Sequence, residues 1–282
     1  MAMRLDSHQH FWIYNDQDYG WMGDQSVLKQ DYLPAHSEPC LRDNGFHGTI
    51  AVQARQTPGE TDFLIDLKSD NDFIMAVVGW TDLMADSVLI ALSNYQGKVV
   101  GFRHQIEDES EIDFMLQPKF KRGLRMLGDY QYTFDLLVRT QHLENCLRIA
   151  DEFPDQPFVI DHLGKPEYSS AGFDAWHSNF TELAKRQNVY CKLSGMVTET
   201  RYQDWDEEEL EIDAFLPFLD CALEAFSADR LMFGSDWPVC SLAATFDEVC
   251  DITNAFIQRL STPEQEAIMG NTAASFYHVK EP

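Results

Sequence analysis

The sequence predicts an α/β fold, namely a single (β/α)8 TIM barrel with extra C-terminal helices. Short runs of β-branched and aromatic residues alternate with amphipathic stretches along the whole chain, as expected for a parallel sheet covered by helices. Neither a low-complexity linker nor a shift in composition divides the chain. Its 282 residues match the length that such barrels reach as one domain. We therefore expect one domain that spans residues 1–282.

Eight segments have the length and composition of buried strands. In chain order they are Arg4–His8, Gly48–Gln53, Phe73–Trp80, Val99–His104, Thr133–Val138, Phe158–His162, Val189–Leu193 and Leu231–Ser235. Each is followed by a stretch with helical periodicity. Eight such β/α units predict a closed barrel.

The clearest helix has an apolar stripe at a spacing that faces the sheet. Its residues are Ile212, Phe215, Leu216, Leu219, Leu223 and Phe226, and a second helix carries Leu143, Cys146, Leu147 and Ala150. The acidic run Asp204–Glu209 is interpreted as the solvated beginning of a helix. Two further helical patterns follow the last strand, over Phe246–Leu260 and Pro263–Tyr277. One helix would complete the eighth β/α unit, so the chain has extra C-terminal helices.

Composition excludes several classes of function. The chain has 47 acidic and 21 basic residues, so its formal charge of −26 disfavours nucleic acid and anionic membranes as partners. No apolar run approaches the roughly 18 residues of a membrane span, and no apolar signal region follows Met1. Six scattered cysteines lack a Cys-x-x-Cys spacing and are interpreted as reduced thiols. We expect a cytoplasmic protein.

Polar residues follow the predicted strands at equivalent positions. They are His8 and His10 after the first strand, Gln53 after the second, Arg103 and His104 after the fourth, Asp161 and His162 after the sixth, Lys192 and Ser194 after the seventh, and Ser235 and Asp236 after the eighth. The carboxyl ends of barrel strands meet at one mouth, where barrel enzymes place their active sites. We therefore expect these side chains to share one site.

One catalytic divalent ion is expected to bind three imidazoles and one carboxylate, or a similar set of ligands. The predicted site offers such a set in His8, His10, His162 and Asp236. Zinc fits best and manganese also fits. The ion would lower the pKa of a bound water, and Asp236 would accept the water proton while touching the metal. Catalysis without metal is equally consistent with the residues, with Asp236 as general base and the histidines stabilising the oxyanion.

Six further residues are candidate substrate contacts. They are Arg103, His104, Gln53, Lys192, Trp12 and Trp237. Neighbouring strand residues alternate, so only one of Arg103 and His104 faces the site. Lys192 is either an anion contact or a paired structural charge. The two tryptophans either line a ring-binding pocket or pack in the core.

Five motifs together resemble the amidohydrolase superfamily, specifically its amidohydrolase 2 branch of sugar-lactone hydrolases, the fuconolactonase-like proteins. They are Asp6-Ser7-His8-Gln9-His10-Phe11-Trp12, Gly101-Phe102-Arg103-His104, Asp161-His162-Leu163-Gly164-Lys165-Pro166, Cys191-Lys192-Leu193-Ser194-Gly195 and Phe233-Gly234-Ser235-Asp236-Trp237-Pro238. The resemblance covers nearly the whole chain. It implies metal or catalytic roles for His8, His10, His162 and Asp236. The bridging Lys or Glu of two-metal relatives has no counterpart here, which implies at most one ion.

The resemblance also implies a reaction, the opening of a six-carbon sugar-acid lactone such as that of L-fuconate, L-rhamnonate or galactonate. Water attacks the ester carbonyl, Asp236 activates the water, and His162 polarises the carbonyl together with a metal or the His8/His10 pair. Two alternatives stay open: a metal-dependent decarboxylase of an unsaturated or aromatic acid, and a noncatalytic barrel that binds sugar acids. The expected partner is a small sugar lactone. A homodimer is a further expectation.

Overall fold

The computed structural model describes residues 2–22, 27–200 and 212–280. Eight parallel strands form one sheet in which each strand pairs with the next along the chain. They are β1 (Leu5–Gln9), β2 (Gly48–Val52), β3 (Ile74–Gly79), β4 (Gly101–Gln105), β5 (Thr133–Leu137), β6 (Phe158–Ile160), β7 (Val189–Leu193) and β8 (Leu231–Phe233). All eight predicted strands are confirmed. Strands β6 and β8 end before the polar residues that follow them.

The first and last strands meet and nearly close the barrel. The backbone N–H of Asp236 donates to the carbonyl oxygen of His8 at 2.9 Å, and that of His10 donates to the carbonyl oxygen of Trp237 at 2.8 Å. These two bonds join the chain beyond β8 to β1. The residues after the first and eighth strands therefore lie side by side at one end of the barrel.

Ten α-helices alternate with or follow the strands in the described ranges. They are α1 (Pro34–Asp43), α2 (Pro58–Asp70), α3 (Val88–Asn94), α4 (Pro118–Asp129), α5 (Leu143–Glu152), α6 (Ser170–Ala184), α7 (Leu216–Phe226), α8 (Phe246–Ile257), α9 (Thr262–Glu266) and α10 (Thr272–Phe276). The predicted apolar helix is confirmed as α7, preceded by a 3₁₀ turn at Ile212–Ala214. The acidic run Asp204–Glu209 lies outside the described residues.

The extra C-terminal helices are confirmed, and α10 closes the floor of the barrel. A π-helical turn, Ala267–Asn271, joins it to α9. Ala273, Phe276 and Tyr277 are buried in one apolar cluster with strand residues that include Leu5 and Ile50. The last helix therefore completes the barrel interior.

The six cysteines are unpaired, and five of them are buried. Within the residues that the structure describes, no helix combines the length and apolar character needed to cross a membrane.

Candidate functional site at the carboxyl ends of the strands

The structure gathers the predicted histidines around one carboxylate oxygen. Oδ1 of Asp236 lies 3.3 Å from Nε2 of His10, 3.7 Å from Nε2 of His8 and 3.9 Å from Nε2 of His162. All four side chains are nearly inaccessible, with relative side-chain exposures of 0 to 5%. Three ring nitrogens therefore converge on one acceptor in a site that excludes most water.

Unusual backbone conformations place two members of this cluster. His162 and Asp236 both have positive φ, of 56° and 59°. His162 belongs to a left-handed turn, Asp161–Gly164, that follows β6 and continues into Lys165, whose φ is 48°. Such conformations are sparsely populated outside glycine and persist where the surrounding structure demands them. The turns after β6 and β8 thus aim His162 and Asp236 into the barrel mouth.

Two imidazoles are held by their Nδ1 atoms. His10 Nδ1 lies 2.8 Å from the carbonyl oxygen of Val52 and must donate to it, because a carbonyl only accepts. His162 Nδ1 lies 2.8 Å from Oγ of Ser194, a hydroxyl that either donates or accepts. The second nitrogen of each ring is left to face the cluster.

Burial sets the protonation of the cluster. Desolvation lowers the pKa of His8 well below its usual value, lowers that of His10, and lowers that of His162 to about 4. Burial by itself would raise the pKa of the Asp236 carboxyl, but the imidazoles around it, His162 first, hold that pKa below its usual range. At neutral pH the site therefore contains a carboxylate and neutral imidazoles, the ionisation state of metal ligands.

The donor set fits a divalent ion. His8, His10 and Asp236 each offer an atom, and these atoms lie within 4.8 Å of one another. Their separations of 3.1 to 3.7 Å bracket the edge of a tetrahedron with zinc–nitrogen bonds of normal length, which is about 3.3 Å. Three of the four predicted ligands thus form one group, while His162 belongs to a second group with His8 and Asp161, a residue outside the predicted set.

A fully buried charge network lies beneath the cluster. Lys192 Nζ contacts Oδ2 of Asp135 at 2.6 Å and Oδ1 of Asp161 at 3.0 Å. Arg103 donates through Nη1 to Oδ2 of Asp161 at 3.1 Å. From the barrel floor, the hydroxyl of Tyr277 donates to Oδ2 of Asp135 at 2.7 Å. Each charge has a partner of opposite sign, which is the condition under which buried charges are tolerated.

Three predicted substrate contacts point into the barrel. Gln53 and Lys192 are fully buried, and Arg103 is 3% exposed. Arg103 bonds the side-chain oxygen of Gln53 through Nε at 3.1 Å and the backbone oxygen of Gln53 through Nη2. The sequence left two interpretations of Lys192, an anion contact or a paired structural charge, and its contacts fit the second. These three residues form the floor beneath the cluster.

His104 points away from the cluster. Its ring stacks on Phe114, with centroids 4.9 Å apart, and lies edge to face with Phe120. Its Nε2 lies 2.6 Å from Oε1 of Glu109. Of the two neighbours on β4, Arg103 therefore faces the barrel interior, while His104 faces α4.

The two predicted tryptophans differ in position. Trp12 is fully buried in a small core with Tyr19, Met22, Leu28 and Ala54, and its indole donates to the backbone of Gln30. Trp237 directly follows Asp236, is 6% exposed and packs edge to face against Tyr32 at 5.3 Å. Trp237 adjoins the cluster, whereas Trp12 stabilises the loop after β1.

Sequence analysis missed Asp135 and Tyr277, and quoted Asp161 without giving it a role. A signal for Asp135 was present: it is a lone carboxylate within the apolar strand β5, and its register partner on β4 is Arg103. A charged residue in such a strand requires a buried partner. The sequence around Tyr277 does not indicate a contact with Asp135, because only the tertiary fold brings the end of α10 to the barrel interior.

A ring of four alternating charges joins the loops after β4, β5, β6 and β7. Lys165 contacts Glu107 at 2.7 Å and Glu199 at 3.4 Å through one oxygen of each carboxylate. Arg139 contacts the other oxygens of the same carboxylates at 3.2 and 3.4 Å. This ring, called the loop clasp below, ties four loops of the barrel mouth together.

A barrel with imidazoles and a carboxylate converging at its strand ends has the architecture of a (β/α)8 enzyme. The family model described as Amidohydrolase matches residues 5–279, and the chain belongs to this family. The predicted resemblance is thereby confirmed.

Two curated relatives are similar over the whole length of this chain. An L-fucono-1,5-lactonase of Burkholderia multivorans is 40% identical, and the match covers 100% of this chain and 98% of that protein. An L-fucono-1,5-lactonase of Burkholderia ambifaria is 32% identical with the same coverage. A crystal structure of an amidohydrolase from Burkholderia multivorans with bound zinc superimposes with a TM-score of 0.95 at 40% identity, over 99% of this chain and 100% of that one.

Proposed function

We propose that the protein is a lactonase that opens a sugar-acid lactone, with L-fucono-1,5-lactone as the first candidate and the L-rhamnono- and galactonolactones next. The observation that carries the proposal is the carboxylate oxygen of Asp236 within 3.3 to 3.9 Å of three imidazole nitrogens. In this arrangement a proton acceptor lies next to imidazoles, which are groups that can contact the carbonyl oxygen of a substrate. The full-length similarity to two proteins named L-fucono-1,5-lactonase supports the choice of substrate.

Asp236 acts as the general base. A water molecule transfers a proton to its carboxylate while the water oxygen attacks the lactone carbonyl carbon. The electron pair of the carbonyl bond moves to its oxygen, and His162 stabilises the resulting oxyanion. His10 cannot donate to it, because the single proton of its neutral ring lies on Nδ1 and is bonded to Val52. The carbonyl then re-forms as the bond to the ring oxygen breaks, and Asp236 returns its proton to that oxygen. The open-chain acid ionises, so each turnover releases one proton.

A divalent ion fits this scheme. His8, His10 and Asp236 would hold it, with zinc as the first candidate and manganese as the second. Bound there, the ion would polarise a carbonyl oxygen and lower the pKa of water. The zinc in the Burkholderia multivorans structure supports this assignment.

Around the reacting centre, Arg103, Gln53 and Lys192 shape the floor of the site, and Trp237 forms part of its wall. Arg103 is buried and hydrogen-bonded to both Asp161 and Gln53, so its role is to hold these two side chains in place.

We place the protein in the cytoplasm, which its six unpaired cysteines support. The homodimer remains a prediction.

The test measures proton release with a pH indicator across six-carbon aldonolactones, with zinc-loaded, manganese-loaded and verified metal-free protein. Rapid opening of one stereochemical series supports the proposal. If no lactone is opened, the lactonase assignment is wrong. Release of carbon dioxide from aromatic or unsaturated acids would then identify a decarboxylase, and tight binding of a sugar acid without turnover a noncatalytic barrel.

A further inference from the structure

The loop clasp lies at the rim of the barrel mouth, because each of its four residues follows a strand. Lys165 connects this rim to the cluster: it comes three residues after His162, and its backbone N–H donates to the carbonyl oxygen of His162 at 2.8 Å. The side chains of Lys165 and Glu199 are 14% and 18% exposed, whereas those of the cluster are at most 5% exposed. A ligand that enters the mouth can therefore contact these two residues.

The ammonium group of Lys165 has unused hydrogen-bonding capacity. It has three N–H donors, and one of them bonds Oε1 of Glu107 at 2.7 Å. The contact with Oε1 of Glu199 is 3.4 Å, longer than the distance of about 2.7 to 2.9 Å in a charge-assisted hydrogen bond. Within the described ranges, Lys165 Nζ has no further hydrogen-bond acceptor. At least one N–H of this ammonium group is therefore available to a ligand.

Glu199 is the loosely held carboxylate of the loop clasp. Both of its ion pairs, with Lys165 and Arg139, are 3.4 Å long. The corresponding ion pairs of Glu107 are 2.7 and 3.2 Å long. Carboxylate oxygens only accept hydrogen bonds. Glu199 therefore offers an acceptor directly beside the available donor of Lys165.

The ammonium group stays charged at neutral pH. Burial by itself would lower the pKa of Lys165, but nearby carboxylates hold that pKa above its usual value. Glu107 and Glu199 contribute first, and the Asp236 carboxylate also contributes. Because Asp236 acts on Lys165, the rim and the reacting carboxylate lie within electrostatic reach of each other.

We propose that Lys165 and Glu199 form a subsite for two neighbouring hydroxyl groups on the lactone ring. One hydroxyl accepts a hydrogen bond from Nζ of Lys165, and its neighbour donates one to the carboxylate of Glu199. The subsite holds the ring at the rim while the ester carbonyl lies at the cluster, so it selects hydroxylated lactones over unsubstituted ones. The inference rests on the proposed function, because it requires a lactone as the substrate.

The test compares kcat/KM for L-fucono-1,5-lactone with kcat/KM for δ-valerolactone, which has no hydroxyl group. In Lys165→Met we expect the ratio of the two values to fall about 10- to 100-fold, the scale for losing a hydrogen bond to a charged group. Arg139→Met is the matched control, because Arg139 also contacts both carboxylates of the loop clasp but is 48% exposed. It should retain the wild-type ratio.

A purely structural loop clasp would change both kcat/KM values by the same factor. An unchanged ratio in Lys165→Met, or an equal fall in Arg139→Met, therefore overturns the subsite. Should Lys165→Met not fold, Glu199→Gln takes its place, because glutamine keeps the size of the side chain and removes the charged acceptor. The same fall in the ratio is expected, and an unchanged ratio again overturns the subsite.

If the wild-type protein opens only hydroxylated lactones, inhibition by L-fucose replaces the ratio, because L-fucose has ring hydroxyls but no ester. Its inhibition constant should rise about tenfold in Lys165→Met and stay unchanged in Arg139→Met. Absence of inhibition, or equal constants in the two variants, overturns the subsite. If no lactone is opened at all, the lactonase assignment fails and the subsite fails with it, which is distinct from turnover with an unchanged ratio.

Discussion

Gly195 lies against the imidazole of His162. A Cβ atom at position 195 would come within 2.5 Å of Cγ and Nδ1 of that ring, and the glycine has a φ of +61°. The residue after β7 thus leaves the space in which the candidate catalytic histidine sits. Because Ser194 also contacts His162 Nδ1, two consecutive residues determine the position of the ring.

We predict that Gly195→Ala displaces His162. Overpacking costs about 1 to 3 kcal/mol, and a displacement of about 1 Å at a reacting group can cost up to about 100-fold in rate. We expect the free energy of unfolding, measured by urea denaturation, to fall by about 2 kcal/mol. We expect kcat to fall by about tenfold or more. Gly97→Ala is the control, since Gly97 also has positive φ but nothing within 4 Å of its added Cβ. Equal losses of kcat in both variants would contradict the steric argument.

Asp236→Asn should remove the proposed general base while keeping the shape of the side chain. Proton transfer by a positioned group contributes about 10² to 10⁴ in rate, so we expect kcat to fall about 10³-fold. Thermal unfolding checks that the fold is retained. Asp251→Asn on the exposed face of α8 should have wild-type kcat. Turnover of Asp236→Asn within tenfold of wild type would remove Asp236 from the mechanism.

His104→Leu tests which of two neighbouring residues serves the site. The variant loses the hydrogen bond to Glu109 and the stacking on Phe114, so we expect it to lower the free energy of unfolding by about 1 to 2 kcal/mol. Because His104 faces α4, KM and kcat should stay within about threefold of wild type. A tenfold rise in KM would instead restore His104 as a substrate contact. Steady-state kinetics and urea unfolding separate these outcomes.

The loop clasp should stabilise the fold more than an exposed ion pair does. Glu107 is 9% exposed and contacts both Lys165 and Arg139, and removing one partner of a buried ion pair costs about 3 to 5 kcal/mol. Glu107→Gln keeps some hydrogen bonding, so we expect a loss of about 2 kcal/mol. In the control, Glu152→Gln breaks a more exposed pair with Lys121 and should cost less than about 1 kcal/mol. Similar midpoints of urea unfolding in both variants would show that the clasp adds nothing.

The sequence predicted the strands and most of the cluster because both depend on local pattern. His8 and His10 are two residues apart, so extended backbone placed them on one face, and the structure confirms that their rings meet. The positive φ of His162 and Asp236 carries no such signal. It arises from the turns after β6 and β8, which tertiary contacts impose.

Alternation on β4 required one of Arg103 and His104 to face inward, but it could not determine which. The answer depends on Asp161 and Gln53, which reach Arg103 from other strands. Trp12 illustrates a second limit: the loop after β1 builds a core of its own, and the periodicity of helices and strands does not describe it. The loop clasp likewise depends on loop geometry.

Tyr277 contributes its hydroxyl to Asp135 from the end of α10, and Asp135 in turn holds Lys192 beside His8 of the first strand. During synthesis, His8 of β1 leaves the ribosome long before Tyr277, which follows α10. Asp135 gains its hydroxyl donor only after Tyr277 has emerged and α10 has docked. The hydrogen bonds beneath the site are therefore complete only when β1 and α10 are both in the native barrel.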